Sequence, residues 1–534
     1  MTRRAQVTST DASRRVVGQQ MTSARDGRSS AMVMLGTAVV ALDSTIVASA
    51  VPRIVADLGG FSAVSWLFSG YLLTTTATLP VYGKLSDSLG RKPVLVAGLV
   101  LFLLGSLLCA GADDMTGLVV SRVFQGLGTG AVEGTVKTIT ADLYPPEERP
   151  RIQARLSTVW SACAIGAPVL GGLLSISVGW RWIFLAGLPL SVIALWLTIR
   201  HLPDRAVRHA DSTVPPKRRW SARNTDWGGA LAVFACGTAL LTFLVQGGNT
   251  WAWLSFPSLA LLGASVLFAA ALVVIERRAA EPVLPGWVWR RRVIVIANLT
   301  LGLVGLLISV PVVFLPMYGQ SVLGLGPATA GLGLSAMLLA WTVSASLSHR
   351  VHRRIGLRQT VLIGVGTAAV TLFVLGVLPS PDGAWYPCLA VLLLGGGLGL
   401  VNLPLVIGAQ AGVASFERGT TTASLLFCRK AGQCVGAALF GALANNALRT
   451  RLDQAPDSVG SGAPGGLDAV TDALRDPASL SPHSIHNLRQ AIDGAVDQVC
   501  VIAAIAAALG FLLVLYAAPR RFPADVPAGE PAPA

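Results

Sequence analysis

Long hydrophobic runs recur along nearly the whole chain, separated by short links that carry most of the charge. Each run is about 20 residues long, which is enough for a helix rising about 1.5 Å per residue to cross the hydrocarbon core of a bilayer. The pattern predicts fourteen membrane-spanning helices, over residues 30–51, 64–83, 94–111, 117–140, 153–176, 182–200, 227–246, 255–275, 294–316, 328–347, 360–378, 386–412, 421–447 and 496–517.

The positive charge of the links predicts the orientation of these spans. Most of the 41 Lys and Arg residues lie in the links that share a side with the N-terminus. The links on the other side hold Arg53, Arg181, Arg449, Arg451, Arg475 and Arg489. Because positive residues favour the cytoplasmic side, we expect a multi-pass protein of the inner (plasma) membrane with both termini in the cytoplasm. One span fewer or more would place the later links on the opposite side of the membrane, and the asymmetry of positive charge would be lost.

Composition agrees with a membrane protein. The 534 residues are 53% hydrophobic and 13% charged, against about 25% charged in soluble domains. A net charge of +14 would indicate nucleic acid in a soluble protein. Here the charge lies in the links, so the predicted partner is the lipid bilayer and not nucleic acid. The seven cysteines lie inside hydrophobic runs without metal-ligand spacing, so we expect packing residues and no metal site.

A weak internal repeat divides the chain into two halves. Gly90 follows the second span of a six-helix set, as Gly356 does in the later set, and Glu148 has a counterpart in Glu417. Duplicated halves of this kind enclose a binding site near the middle of the membrane. The predicted divisions are a disordered cytoplasmic tail (1–29), a first six-helix half (30–200), a basic cytoplasmic linker with two extra helices (201–293), a second half (294–517) containing a long outside loop (448–495), and a cytoplasmic tail (518–534).

Ionisable residues within the spans mark the candidate site, because a charge at the bilayer centre costs about 2.5–3.5 kcal/mol on insertion scales. Asp43 is predicted about 18 Å and Arg122 about 22 Å from the inner surface, so the two side chains can pair. Burial and the arginine act in opposite directions on the protonation of Asp43. That opposition suits a proton-coupling residue, and a permanent structural ion pair is the alternative.

Span four carries two further charges, Glu133 and Lys137, which are four residues apart and share a face with Arg122. Glu133 is predicted either to relay protons or bind a cationic substrate, or simply to pair with Lys137 near the cytoplasmic rim. The candidates for the substrate cavity are Gln125, Lys137, Trp160 and Asn402. Arg429 and Lys430 are predicted to extend along span thirteen toward the cytoplasm.

The link between spans two and three carries a recognisable motif, from Gly83 through Asp87, Gly90 and Arg91. The glycines allow a short reversal with close helix approach, and the charged pair can bridge the link or bias the helix ends. This segment resembles the signature loop of the major facilitator superfamily. The resemblance implies a cytoplasmic latch formed by these four residues, whereas the simplest alternative is a charged loop that only sets topology.

Two other motifs resemble those of the fourteen-helix drug:proton antiporters within that superfamily. The run 42–52 is similar to their first-helix motif, except that Ala48 stands where the family usually has Asn. The fifth span matches their antiporter motif at Gly166, Pro168, Gly171 and Gly172, with Ala167 in place of a glycine before the proline. The resemblance covers about residues 30–517.

The resemblance implies an all-α polytopic membrane protein with the major facilitator fold: two six-helix halves plus two extra central helices. It further implies alternating access and export of a drug, antibiotic or other small amphipathic molecule in exchange for protons. The proton gradient would be the energy source, with no cofactor. Asp43, Arg122 and Glu133 are the proton-coupling candidates.

Other classes of function are weighed against this one. The chain has no nucleotide-binding Gly-Lys-Ser/Thr loop and no catalytic constellation, so we expect neither ATP drive nor an enzyme. Proton-coupled uptake, or export of a lipid or cell-envelope metabolite, remains open on the same fold. No residue pattern identifies a periplasmic or envelope partner.

Overall fold

The computed structural model of the protein describes residues 30–143, 149–202, 227–247, 251–278, 286–378, 385–411, 413, 417–453 and 482–519. Nearly all of these residues are helical, and the one extended pairing among them is the bridge between Gly247 and Trp251. A helix suits a bilayer because it satisfies its backbone hydrogen bonds within itself. The predicted all-α fold is confirmed. The two predicted tails lie outside the described residues, apart from the first two residues of 518–534.

Fourteen long helices run through the described residues in the predicted order. Their bounds are α1 Ser30–Leu58, α2 Val64–Leu89, α3 Arg91–Ala110, α4 Met115–Leu143, α5 Arg149–Ser177, α6 Arg181–His201, α7 Trp227–Gln246, α8 Phe256–Arg278, α9 Arg292–Ser321, α10 Pro327–Ile355, α11 Leu357–Val377, α12 Trp385–Ala411, α13 Arg418–Asp453 and α14 Pro482–Ala517. A 3-10 segment, Val47–Ala50, interrupts α1.

Ten of these helices are long and apolar enough to cross a membrane, judged on the described residues. The other four are α2, α4, α7 and α13. Charged residues inside α4 and α13, and the run of threonines at 74–76 in α2, lower their apolar character. These helices also pack against one another, with α2 contacting α4, α7 and α13. The polar spans α2, α4 and α13 therefore lie within the bundle, whereas α7 is apolar and falls short only in the length of its apolar stretch, Leu231–Gln246.

The helix pairs of the two halves correspond, which confirms the duplicated architecture. In the first half α2 packs on α4, α3 on α4, and α3 on α6. In the second half the equivalent pairs are α10 with α12, α11 with α12, and α11 with α14. The two extra helices differ in their surroundings. The first, α7, packs on α2 and α13 and so covers a seam between the halves, while α8 contacts mainly α7.

The halves meet along two helix pairs, α5 with α10 and α2 with α13. Two polar contacts between the halves lie at one end of the bundle, where α1 and α9 end and α2 and α10 begin; we call this the closed end. There the Asn445 side-chain amide donates to the Ser62 carbonyl at 3.2 Å. The Gln320 amide donates to the Ser49 carbonyl at 3.1 Å. The sequence-based orientation places the closed end on the outside of the membrane.

Several helices extend beyond their predicted spans. The first ends at Leu58 instead of residue 51, α13 continues to Asp453, and α14 begins at Pro482. Both bounds of the predicted outside loop, 448 and 495, therefore lie within helices, so α13 and α14 extend into the segment predicted to lie outside the membrane. Hydropathy marks where the membrane ends, but a helix continues into water wherever its polar residues tolerate helical backbone.

Candidate functional site

The structure brings Asp43 of α1 and Arg122 of α4 into contact. One guanidinium nitrogen of Arg122 lies 3.0 and 3.1 Å from the two carboxylate oxygens of Asp43. Asp43 is 5% exposed and Arg122 is 1% exposed. The pairing follows from the similar depth that their positions along the two spans indicated. Whether the pair carries protons stays a prediction.

Gln125 belongs to this buried pair. Its amide nitrogen donates to Asp43 at 3.0 Å and to the Ser106 hydroxyl of α3 at 2.8 Å, and its oxygen accepts from Arg122 at 2.7 Å. Gln125 is fully buried, so the structure places it inside the network and not on the wall of an open cavity. The spacing of Gln125 and Arg122, three residues apart on one helix, was the available signal for this contact. Sequence reasoning missed Ser106.

Two aromatic rings cover the Arg122 guanidinium. Its central carbon lies 4.0 Å from the centroid of the Tyr71 ring of α2 and 5.8 Å from that of Phe184 of α6. Such rings attract a cation through their electron-rich faces, most strongly where water is excluded. Sequence reasoning also missed Tyr71, which is buried against this site. Side chains from five helices, α1, α2, α3, α4 and α6, thus enclose one ion pair.

The arrangement of the pair limits what it can do chemically. Both carboxylate contacts involve the same nitrogen of Arg122, and the buried Arg122 Nε has no hydrogen-bond partner among the described residues. The contact is therefore not the two-pronged fork that gives arginine–carboxylate pairs their greatest strength. Adding a proton to Asp43 would leave Arg122 without a counter-charge in a poorly polar environment. Proton uptake must therefore be linked to movement of Arg122 or to arrival of another charge.

A second charged cluster joins α4 to α13. Glu133 lies 3.0 Å from Lys137 Nζ and 2.7 Å from Lys430 Nζ. The predicted pair with Lys137 is present, and Lys430 extends to Glu133 of the other half, a partner that the sequence did not indicate. Sequence periodicity reports neighbours on one helix and so carries no signal for this partner. Arg429 lies within electrostatic range of the same carboxylate. The predicted extension of Arg429 and Lys430 toward the cytoplasm stays a prediction.

The antiporter motif of α5 packs against neighbouring backbone at the closed end. A Cβ added to Gly172 would lie 2.6 Å from the Pro327 carbonyl oxygen of α10, and one added to Gly171 would lie 2.5 Å from the Ile46 carbonyl oxygen of α1. Pro168 lies inside α5, and its own carbonyl approaches Gly331 of α10. Only glycine allows such approach. Gly166 differs, because a Cβ there would meet nothing within 4 Å.

The link between α2 and α3 turns at Gly90, whose φ of 100° ends α2 and begins α3. The equivalent residue of the second half, Gly356, has a φ of 86° between α10 and α11. Arg91 donates to the Ser86 hydroxyl at 2.8 Å. Positions 83 and 87 are helical, but their side-chain surroundings lie outside the described residues, and so does the predicted pairing of Asp87 with Arg91.

The remaining cavity candidates lie on helices of both halves. Trp160 of α5 and Asn402 of α12 are half-buried, and Trp160 packs against the main hydrophobic core. Next to Trp160, Ser161 accepts a hydrogen bond from Thr342 of α10 at 3.2 Å. These positions are compatible with the wall of a central passage, and the substrate-binding roles of Trp160 and Asn402 stay predictions.

The second half contains a small cavity of its own, with a volume of about 50 Å³, between α9, α11, α12 and α14. Its walls are mostly apolar and include Phe314, Tyr318, Leu375 and Val391, with one carboxylate from Asp497. Sequence reasoning placed the binding site between the halves and did not anticipate this cavity. The signal for it was available, since Asp497 is an acid at the start of an apolar run.

Comparison with known proteins gives the same architecture. The Major Facilitator Superfamily matches residues 33–437. Multidrug resistance protein 3 of Bacillus subtilis is 28% identical over 495 residues, which cover 92% of this chain and 94% of that protein. Multidrug transporter protein MdtP of Bacillus subtilis is 28% identical over 536 residues, which cover 94% of this chain and 96% of that protein.

Solved structures support the fold. A bacterial homologue of the human lysosomal transporter Spinster, in an inward-facing and unoccupied conformation, matches with a TM-score of 0.63 at 15% identity, covering 92% of this chain and 97% of that one. A D-xylose-proton symporter matches with a TM-score of 0.57 at 14% identity, with the same coverage. With the family match over most of the sequence and the duplicated six-helix halves, these findings show that the chain belongs to the Major Facilitator Superfamily and is a multi-pass membrane transporter.

Proposed function

We propose that this transporter exports small amphipathic molecules across the plasma membrane in exchange for protons. The observation that carries the proposal is the buried pair of Asp43 and Arg122, because Asp43 is the one charged residue in the first predicted span. An acid at bilayer depth is a functional residue by default. The names of the two Bacillus subtilis relatives refer to multidrug resistance and multidrug transport, which favours export of small molecules over uptake.

Exchange follows if proton and cargo compete for one state of the protein. A proton arriving at Asp43 frees Arg122, which is then a buried cation that must find another partner or move. In the reverse direction, cargo that draws Arg122 back to Asp43 expels the proton. This competition supplies the differential binding that any ligand-driven change of state requires.

Alternating access would be the accompanying movement. The glycine contacts of α5 with α10 hold the closed end together, and the ion pair of Glu133 with Lys430 links the halves nearer the opposite end. Packed interfaces of this kind switch between discrete arrangements and do not deform continuously. We assign Asp87 and Arg91 to a latch that holds the cytoplasmic side when the closed end opens.

Everted membrane vesicles from cells that express the protein test the direction of transport. A panel of fluorescent amphiphiles carrying positive, negative or no charge is added, and the vesicles are energised so that their lumen becomes acidic. An exporter concentrates its cargo in the lumen, and vesicles from the deletion strain do not. Release of preloaded cargo upon energisation would identify an uptake system and overturn the proposal.

A further inference from the structure

The charged cluster between α4 and α13 contains more positive than negative charge. Glu133 is flanked by Lys137 and Lys430 at 3.0 and 2.7 Å, and Arg429 is the immediate neighbour of Lys430 along α13. Among the described residues, Glu133 is the acid that acts electrostatically on both Arg429 and Lys430. Among the described residues the cluster thus holds one carboxylate and three cations, which is a net charge of about +2 at neutral pH.

The cluster lies deep within the helices. Glu133 is ten residues from Leu143 at the end of α4, or about 15 Å along the axis. Lys430 is twelve residues from Arg418 at the start of α13, or about 18 Å. The side chains of Glu133 and Lys430 are 17% and 15% exposed, while that of Lys137 is 45% exposed. Lys430 is therefore largely shielded from bulk water, whereas Lys137 at the other side of Glu133 reaches it.

Uncompensated charge at this depth calls for a counter-charge, because buried ions are retained when paired or when they serve a transported ligand. We propose that Lys137, Arg429 and Lys430 bind the anionic group of the cargo, such as a sulfonate or carboxylate on an otherwise apolar molecule. This inference rests on the proposed function and names its substrate class. In the absence of cargo, the Glu133 carboxylate then occupies the anion-binding site, and the anionic group of the cargo displaces it.

A cationic cargo fits this site poorly. Glu133 is already neutralised by two lysines within 3.0 Å, so an incoming cation would meet net positive charge. A purely mechanical role is the other alternative, in which the pair of Glu133 with Lys430 only joins the halves. The two roles of Lys430 differ in one respect. A mechanical link depends equally on Lys430 and on Glu133. Binding of an anion depends on Lys430, and the anion competes with Glu133 for it.

A matched pair of probes separates these roles. 1-Anilinonaphthalene-8-sulfonate and N-phenyl-1-naphthylamine share one aromatic scaffold and differ by the sulfonate, and ethidium serves as the cationic probe. Binding of radiolabelled probe is measured by scintillation proximity on purified full-length protein in nanodiscs, without any gradient. The variants are Lys430→Gln, Lys430→Arg and Glu133→Gln, with Arg278→Gln at the exposed end of α8 as the matched loss of a positive charge elsewhere.

We expect the sulfonate to bind about ten-fold more tightly than the neutral amine. Lys430→Gln should lose about that factor for the sulfonate alone, Lys430→Arg should restore it, and Glu133→Gln should increase sulfonate affinity by removing the competitor. Equal loss of both probes in Lys430→Gln and Glu133→Gln would overturn the proposal in favour of a mechanical link. Preferential binding of ethidium that Glu133→Gln abolishes would overturn it in favour of a cation site.

Transport by the same protein in proteoliposomes keeps this inference distinct from the proposed function. Charge-selective binding without proton-driven movement of any probe would leave the anion site in place and refute proton-coupled export. Proton-driven export of the other probes, without preference for the sulfonate, would support proton-coupled export and refute the anion site. The control Arg278→Gln should match the unmodified protein in both assays.

Discussion

Replacing Asp43 by Asn removes one negative charge from a buried network and leaves its shape nearly unchanged. The remaining side-chain oxygen can still accept from Arg122 or Gln125, but the second carboxylate oxygen and the charge are lost. Arg122, which is 1% exposed, is then a buried cation without a carboxylate. The substitution therefore separates the charge of Asp43 from its packing.

The size of the effect on folding follows from this geometry. Removing one partner of a buried ion pair costs about 3–5 kcal/mol. Because an acceptor survives at position 43 and the Tyr71 ring still faces the guanidinium, we expect the lower end, about 3 kcal/mol. The double change of Asp43→Asn with Arg122→Gln removes both charges and should recover most of that loss. Chemical unfolding of the purified variants in one detergent measures the difference.

Transport separates coupling from stability. A neutral residue at position 43 releases no proton at any pH, so Asp43→Asn should abolish efflux driven by a pH gradient. Exchange of labelled for unlabelled cargo in proteoliposomes needs no net proton movement and should persist. Proton release upon cargo binding, followed with a pH-sensitive dye in weakly buffered solution, should also disappear.

The double variant gives the result that would refute this reasoning. Asp43→Asn with Arg122→Gln restores charge balance, so a merely structural pair predicts recovered folding together with recovered transport. Active, pH-driven efflux by the double variant would rule out Asp43 as the coupling residue, and Glu133 would become the next candidate. Recovered folding without pH-driven efflux is the result that we expect.

Three further changes test the topology, the closed end and the predicted latch. In a background without the seven native cysteines, an impermeant thiol reagent should label Ser461→Cys and not Ser212→Cys in sealed cells; labelling of the second site contradicts the fourteen-span orientation. Gly172→Ala puts a methyl group 2.6 Å from a carbonyl oxygen of α10, and such overpacking costs about 1–3 kcal/mol. It should therefore lower thermal stability by that amount and also lower export, whereas Gly166→Ala, which meets nothing within 4 Å, should change neither; equal stability and export of the two variants would remove the packing role. Asp87→Asn should reduce transport while surface expression stays normal, and near-normal transport would leave position 87 only a topology signal.

The helices were predictable because a bilayer imposes one length scale on all of them. Hydrophobic runs of about 20 residues identify spans regardless of their packing, and all fourteen appear in order. The ends were not predictable by the same means. The first turns of α14, from Pro482 onward, are polar and helical, and hydropathy cannot distinguish such a segment from a loop.

The candidate site was predictable where depth alone decides the contact. Asp43 and Arg122 lie at similar heights on two helices of one half, and helical rise was enough to bring them together. The Tyr71 ring and Lys430 approach from other helices, so their contacts depend on how those helices pack and rotate. A single sequence contains no direct record of that packing, which explains why neither contact was predicted.

Lumenal pH in proteoliposomes tests proton-coupled exchange most directly. Purified protein is reconstituted with a trapped pH-sensitive dye, the membrane potential is held at zero with potassium and valinomycin, and cargo is loaded inside at a higher concentration than outside. As cargo leaves, exchange requires protons to enter, so the account predicts that the lumen acidifies and that the Asp43→Asn variant shows no pH change. Alkalinisation of the lumen would mean that protons leave together with cargo, and that result would contradict antiport.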